Sequence, residues 1–269
     1  MKQWMVAPAL AVAVVTAQAA CKADEKPVFL SFDTGHMGVA PLVADLLKRY
    51  DAQATFFLAN EPTLSDGRTL DEEWAPWWRA RAAEGHDFGS HTWSHDIWME
   101  DLPDGRFRMK VQAGIEPPKI RDLSAAEYCE ELNRTAQRFT EMTGQRLDPI
   151  FRAPAGRTSP ALLAAAKSCG YTHVGWSPAG FLGDELPSER YSNEQLLSRA
   201  LKNVKPGDIL MAHLGIWSRQ DAWAPAVLEP LMKGLKDKGY CFAPLREHPR
   251  YAGLLKGGSP ERPLAARKP

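Results

Sequence analysis

Short apolar runs alternate with stretches of helical period along nearly all of this 269-residue chain, and that alternation confines it to the α/β class. Residues 28–32, 54–58, 87–90, 149–151, 172–176, 208–212 and 240–245 have the length and content of buried strands. Between them, residues 39–50, 72–84, 124–143, 160–169, 193–203 and 226–238 repeat apolar positions at helical spacing. The signal is sharpest over 124–143, where Ser124 and Glu127 form a capping-box pattern and Gly144 supplies the stop. Residues 96–121, broken by Pro103, Gly105, Gly114, Pro117 and Pro118, read as an irregular connection. About seven parallel strands with outer helices in this length point to a distorted (β/α) barrel rather than an open sheet.

Four polar residues stand at or just after strand ends: Asp33, His91, Arg152 and His213. Each alone has a structural explanation, as a turn aspartate, a capping histidine, a surface arginine or a core histidine. In a barrel those strand ends converge on one face, where catalytic groups sit, so the topology gathers all four. His91 is followed by His95, and two histidines four apart on a helical turn project to one side and grip one divalent metal. A carboxylate at a neighbouring strand end would complete a common catalytic shell.

The first residues predict export. Met1-Lys2 is a short positive start, 4–16 carries no charge, and Ala17-Gln18-Ala19 is a cleavage pattern, so 1–19 reads as a signal peptide and the mature chain as periplasmic or secreted. The apolar run is short for a membrane span of ~20 residues, and no stable span is expected after processing. Export permits disulfides among Cys21, Cys129, Cys169 and Cys241. Cys129 opens one predicted helix and Cys169 closes another, an offset on the order of 15–20 Å along the helix axes, which favours Cys21–Cys241. A formal net charge of +0 gives no electrostatic reason for a nucleic-acid partner. The polar, Pro- and Gly-rich tail 253–269 is expected to be disordered.

Five motifs in fixed order carry a family resemblance: Ser31-Phe32-Asp33-Thr34-Gly35, the stretch from Gly85-His86-Asp87 to His95, Phe151-Arg152-Ala153-Pro154-Ala155-Gly156, Gly170-Tyr171 to Trp176-Ser177, and Ile209-Leu210-Met211-Ala212-His213. Together they resemble the polysaccharide deacetylases, the NodB-homology domains of carbohydrate esterase family four. The resemblance spans about 27–248 and implies a hydrolase of carbon–nitrogen bonds. Such an enzyme removes N-acetyl, or O-acetyl, groups from a glycan with the help of a divalent metal, read as zinc. Carried over by position, Asp33 is the base that activates water, and His91 and His95 are metal ligands. Arg152 orients the base, the Ala155 N–H faces the oxyanion, and His213 is the acid for the leaving amine. Leu210, Trp93 and Trp217, with Trp98 in the connection, are candidates to line the glycan.

Four positions depart from the family pattern. The second aspartate, normally the third metal ligand, is Thr34; Thr34 itself, His36 (which stands where the family usually has proline), water or Asp33 are the candidates to complete the shell. An aromatic residue of the sugar pocket is Ala155. The aspartate that supports the catalytic histidine is missing after Ser177, and Asp184 is the nearest carboxylate. These departures keep two other functions open: a weak or inactive relative that binds a glycan or a partner, and a metal-dependent hydrolase of a small amide.

Overall fold

A computed structural model describes residues 20–112 and 119–255. The elements run in chain order as β1 (Lys26–Asp33), α1 (Ala40–Arg49), β2 (Thr55–Leu58), α2 (Ala75–Ala83), β3 (Asp87–Ser90), β4 (Asp96–Asp101), β5 (Phe107–Val111), β6 (Lys119–Leu123) and α3 (Ala125–Thr143). They continue as β7 (Ile150–Phe151), α4 (Pro160–Ser168), β8 (Thr172–His173), α5 (Asn193–Asn203), β9 (Ile209–His213), α6 (Trp223–Ala226), α7 (Leu228–Asp237), β10 (Tyr240–Phe242) and α8 (Ala252–Leu255).

The main sheet has seven strands, all parallel, in the order β10-β1-β2-β3-β7-β8 with β9 on the other flank of β1. All-parallel pairing needs a crossover between strands, and the helices that provide it bury the sheet on its outer side. Six consecutive residues of β1, Val28 to Asp33, are therefore buried. The barrel is distorted because β8 stops after two residues, short of the predicted 172–176. The backbone beyond it closes the gap irregularly: Ser177 N–H donates to Ile209 O at 3.0 Å, Leu182 N–H to Met211 O at 3.2 Å, and Met211 N–H to Gly180 O at 2.8 Å.

Two expectations about the middle of the chain need correction. The connection over 96–121 is not irregular. Strands β4, β5 and β6 form a separate antiparallel sheet, and Phe107, Met109 and Val111 alternate onto its buried side. Pro103 and Gly105 belong to the tight turn between β4 and β5, where Leu102 N–H donates to Arg106 O at 2.8 Å. Helix α3, whose capping box and left-handed Gly144 stop match the expectation, is entered from this sheet and not from a barrel strand. Its first turns consequently lie beside the last turn of α4, and Cys129 pairs with Cys169 at a Cα separation of 6.1 Å. The offset expected for two equivalent βα units does not apply. Cys21 and Cys241 form the second disulfide and tie the residues before β1 to β10.

Gly253–Leu255 complete the α8 turn and are not part of an irregular tail. The expected signal peptide and the rest of the tail lie outside the described residues. Among the described residues no helix is long and apolar enough to cross a membrane.

Candidate active site

Strand register assembles the site. Asp33, the last residue of β1, pairs directly with His213 of β9 on one side and with Phe57 of β2 on the other. Beyond Leu58, His91 N–H donates to Leu58 O at 2.7 Å, and beyond Ser90, Arg152 N–H donates to Ser90 O at 2.9 Å. Four residues spread over 181 positions of sequence thus meet at the carboxyl ends of β9, β1, β3 and β7, with β2 between β1 and β3.

Arg152 is fully buried and hydrogen-bonded at three nitrogens. Its Nη1 donates to Asp33 Oδ1 at 2.8 Å, Nη2 to Ser31 Oγ at 2.8 Å and Nε to Val174 O at 3.2 Å. The guanidinium also lies 4.2 Å from the centre of the Phe57 ring. Burial raises the Asp33 pKa, but Arg152, His91 and His213 together hold its carboxyl below the usual carboxylate range. Asp33 is therefore an ionised, rigidly oriented base with one oxygen on Arg152 and the other 3.7 Å from His91 Nε2.

His91 Nδ1 contacts Arg152 O at 2.8 Å. A carbonyl only accepts, so Nδ1 carries the proton and Nε2 presents a lone pair toward Asp33. Burial pushes the imidazole down to about 4, so it is neutral at neutral pH. The His95 ring lies 4.9 Å away, centre to centre. A helical turn does not bring the two together, contrary to expectation. Thr92 and His95 take positive φ, 60° and 50°, and the turn is held from outside. Trp93 N–H donates to Glu131 O at 3.1 Å, Ser94 N–H to Glu131 Oε2 at 2.8 Å, and Asp96 N–H to the Thr92 hydroxyl at 2.9 Å. Arg121 of β6 pairs with both Asp96 (2.5 Å) and Glu131 (2.8 Å), linking the antiparallel sheet to the histidine turn.

Asp184 lies on His213. Its Oδ2 accepts from the His213 backbone N–H at 2.7 Å and stands 3.1 Å from Nδ1. Burial alone would lower the imidazole pKa, but the Asp184 charge and hydrogen bond, with Asp33, push it up to about 10. Nδ1–H donates a hydrogen bond to Asp184, and Nε2–H is left to donate elsewhere.

The remaining candidates are placed as follows. Ala155 is exposed in a left-handed conformation (φ 55°) in the turn after Pro154. Trp217 is 61% exposed and stands edge-on to His36 at 4.9 Å. Trp93 is half-buried under the Arg134 guanidinium, and the Trp98 indole donates to Asp101. Leu210 is fully buried in the core, so its side chain does not reach the face. The His36 ring is engaged locally, where Gly38 N–H donates to its Nδ1 at 3.0 Å.

One residue of the face was not singled out from sequence. Glu61, three positions beyond the end of β2, accepts at Oε2 from the Thr34 hydroxyl at 2.5 Å and from Gly35 N–H at 2.6 Å. The Thr34 oxygen in turn accepts from Ala59 N–H at 3.1 Å. Burial raises the Glu61 pKa, but His95, Thr34, Gly35 and His91 lower it further, and the carboxyl is held below its ordinary range. The sequence signal was its place just past a strand end, shared with His91 and Arg152, inside a stretch that otherwise reads as a polar loop.

Among the described residues no group of three or more His, Cys, Asp or Glu side chains is already drawn together to hold a metal ion. The donors themselves suit a divalent first-row cation. His91 offers a neutral Nε2 whose partner nitrogen is fixed on a carbonyl, His95 a second imidazole, and ionised carboxylates adjoin both.

Residues 20–174 match the family model described as polysaccharide deacetylase. A peptidoglycan-N-acetylglucosamine deacetylase of Bacillus cereus is 26% identical over 229 residues, covering 85% of this chain and 90% of the relative. Among solved structures, a family 4 acetyl xylan esterase from Clostridium thermocellum, in complex with a cobalt ion, has a TM-score of 0.64 at 23% identity, covering 85% of this chain and 93% of that one. A CE4 family pseudoenzyme from Bacillus anthracis has a TM-score of 0.59 at 19% identity, covering 84% of this chain and 66% of that one.

Proposed function

Because this chain belongs to the polysaccharide deacetylase family, we propose that it is a metal-dependent hydrolase that removes acetyl groups from the amino sugars of a glycan. The observation that carries the reading is Asp33. It is ionised and locked on Arg152 at 2.8 Å, with its free oxygen facing His91 Nε2 and a protonated His213 at the adjacent strand end.

His91 and His95 would hold the cation, and zinc suits imidazole and carboxylate donors. When bound, a divalent cation supplies Lewis acidity, which makes water more acidic and polarises the amide carbonyl. Asp33 Oδ2 takes the proton from the attacking water, and Arg152 keeps Oδ1 occupied so that Oδ2 points inward. The backbone N–H of Ala155, an exposed residue, supports the developing oxyanion. His213 Nε2–H protonates the departing nitrogen, which cannot leave as an amide anion. Asp184 holds that imidazole in the donating tautomer and charged until the proton moves. The signal-peptide pattern read over residues 1–19 and the two disulfides support an exported location, periplasmic or secreted.

The test is acetate release from N-acetylglucosamine oligomers by the chain loaded with zinc or cobalt, compared with Asp33→Asn. A loss of on the order of 10²–10⁴-fold is expected. Equal release by both proteins, or none by either, defeats the proposal. Threonine at position 34, in place of a carboxylate ligand, favours a second reading, a glycan-binding relative without activity, and that reading predicts oligosaccharide binding with no acetate from either protein.

A further inference from the structure

We propose that Glu61 is a metal ligand of this site, so that the carboxylate missing at position 34 is delivered from the strand next door. The assignment rests on the metal-dependent reading above and names a residue that the family motif does not contain.

Thr34 cannot serve as a charged ligand, and both faces of its hydroxyl are already engaged. It accepts from Ala59 N–H and donates to Glu61 Oε2 at 2.5 Å. That donation places a carboxylate oxygen one hydrogen-bond length from the position-34 side chain. Gly35 N–H grips the same oxygen at 2.6 Å, and both contacts fall on Oε2, so Oε1 is outside them. A carboxylate held by one oxygen and presenting the other is the usual form of a monodentate ligand with outer-sphere support.

The backbone around Glu61 is built to hold this position. Glu61 N–H donates to the Thr69 hydroxyl at 3.2 Å, Thr69 N–H returns to Glu61 O at 2.9 Å, and the Thr69 hydroxyl also bonds Ala59 O. One residue earlier, Asn60 N–H donates to Trp93 O at 2.8 Å, inside the turn that carries His91 and His95. The segment that carries the glutamate and the turn that carries the two histidines are thus joined by a backbone hydrogen bond between Asn60 and Trp93. The neighbouring turn leaves no room for slack: a Cβ on Gly35 would meet Gly215 O at 2.0 Å, so this residue is a glycine at φ +80°.

A purely structural role would need only the acceptor that Thr34 and Gly35 use, and glutamine keeps it. The test is therefore cobalt binding by calorimetry and by visible absorption, with chelator-stripped full-length chain, for wild type, Glu61→Gln, His91→Ala and the double variant Thr34→Asp/Glu61→Gln. Thermal unfolding confirms that each is folded. Wild type is expected to bind one equivalent, and Glu61→Gln to bind at least about 100-fold more weakly with an altered cobalt spectrum. The double variant, which moves the carboxylate back to position 34, is expected to recover binding to within about tenfold. A folded Glu61→Gln that binds cobalt like wild type overturns the assignment and leaves the metal-dependent reading in place. Wild type that binds no cobalt, or His91→Ala that binds as tightly as wild type, overturns that reading and the assignment with it.

Discussion

Arg152 and Asp33 are 119 residues apart in sequence and meet at 2.8 Å, with neither side chain more than 4% exposed. Removing one partner of such a pair strands the other as a buried charge, at a cost of about 3–5 kcal/mol. Arg152→Ala is expected to lose that much stability in denaturant unfolding. It should also move the acid limb of kcat/KM upward, because the group that holds Asp33 low is gone. The sign follows from the depressed carboxyl. Its stabilising contribution is present above pH ~4 and fades as the pH falls through the folded value. Arg152→Lys keeps the charge but lacks the planar fork, and should fall between the two.

The imidazole of His213 is pushed up to about 10, mainly by Asp184 against the opposing effect of burial. A raised base favours its charged form in the folded state. The pair therefore stabilises the fold fully below the ordinary histidine value of ~6.5 and progressively less as the pH rises through about 10. Activity that needs His213 as an acid should keep its basic limb near pH 10 in wild type. In Asp184→Asn that limb should fall by several pH units, with a lower kcat. A pH profile that is the same in both proteins would remove Asp184 from the acid's support.

Arg121 bridges two carboxylates, Asp96 and Glu131, that sit behind the histidine turn. Arg121→Ala leaves them facing each other without a cation. Since Arg121 is itself 35% exposed, solvent relieves part of the strain, and a stability loss of about 1–3 kcal/mol is expected. The functional effect should exceed the stability effect. Glu131 holds the Trp93 and Ser94 backbone, and a loosened turn should weaken cobalt binding by on the order of 10–100-fold. Guanidinium unfolding and cobalt titration on the same variant separate the two.

The strand-end residues were legible because parallel pairing and register follow from buried apolar runs, and register alone sets Asp33 beside His213. The antiparallel sheet was not. Its turn residues look like breaks in a loop, and only Phe107, Met109 and Val111 keep a clean alternation. That one omission propagated, since a helix entered from the sheet starts at a different height and brings Cys129 to Cys169. Asp184 was found only as the nearest carboxylate, because the irregular closure over 174–182 has no period from which to count. Glu61 escaped for a different reason. Its role depends on a hydroxyl 27 residues earlier, and no spacing rule within one strand links them.

The hydrogen bond between Thr34 and Glu61 also constrains how this chain can have diverged. Aspartate at 34 opposite glutamate at 61 would press two carboxylates together at a separation near 2.5 Å, and threonine opposite glutamine would leave the place without an acid. Each single step is disfavoured, so the two positions form a coupled pair, and the loss from changing one is expected to be recovered only by changing the other.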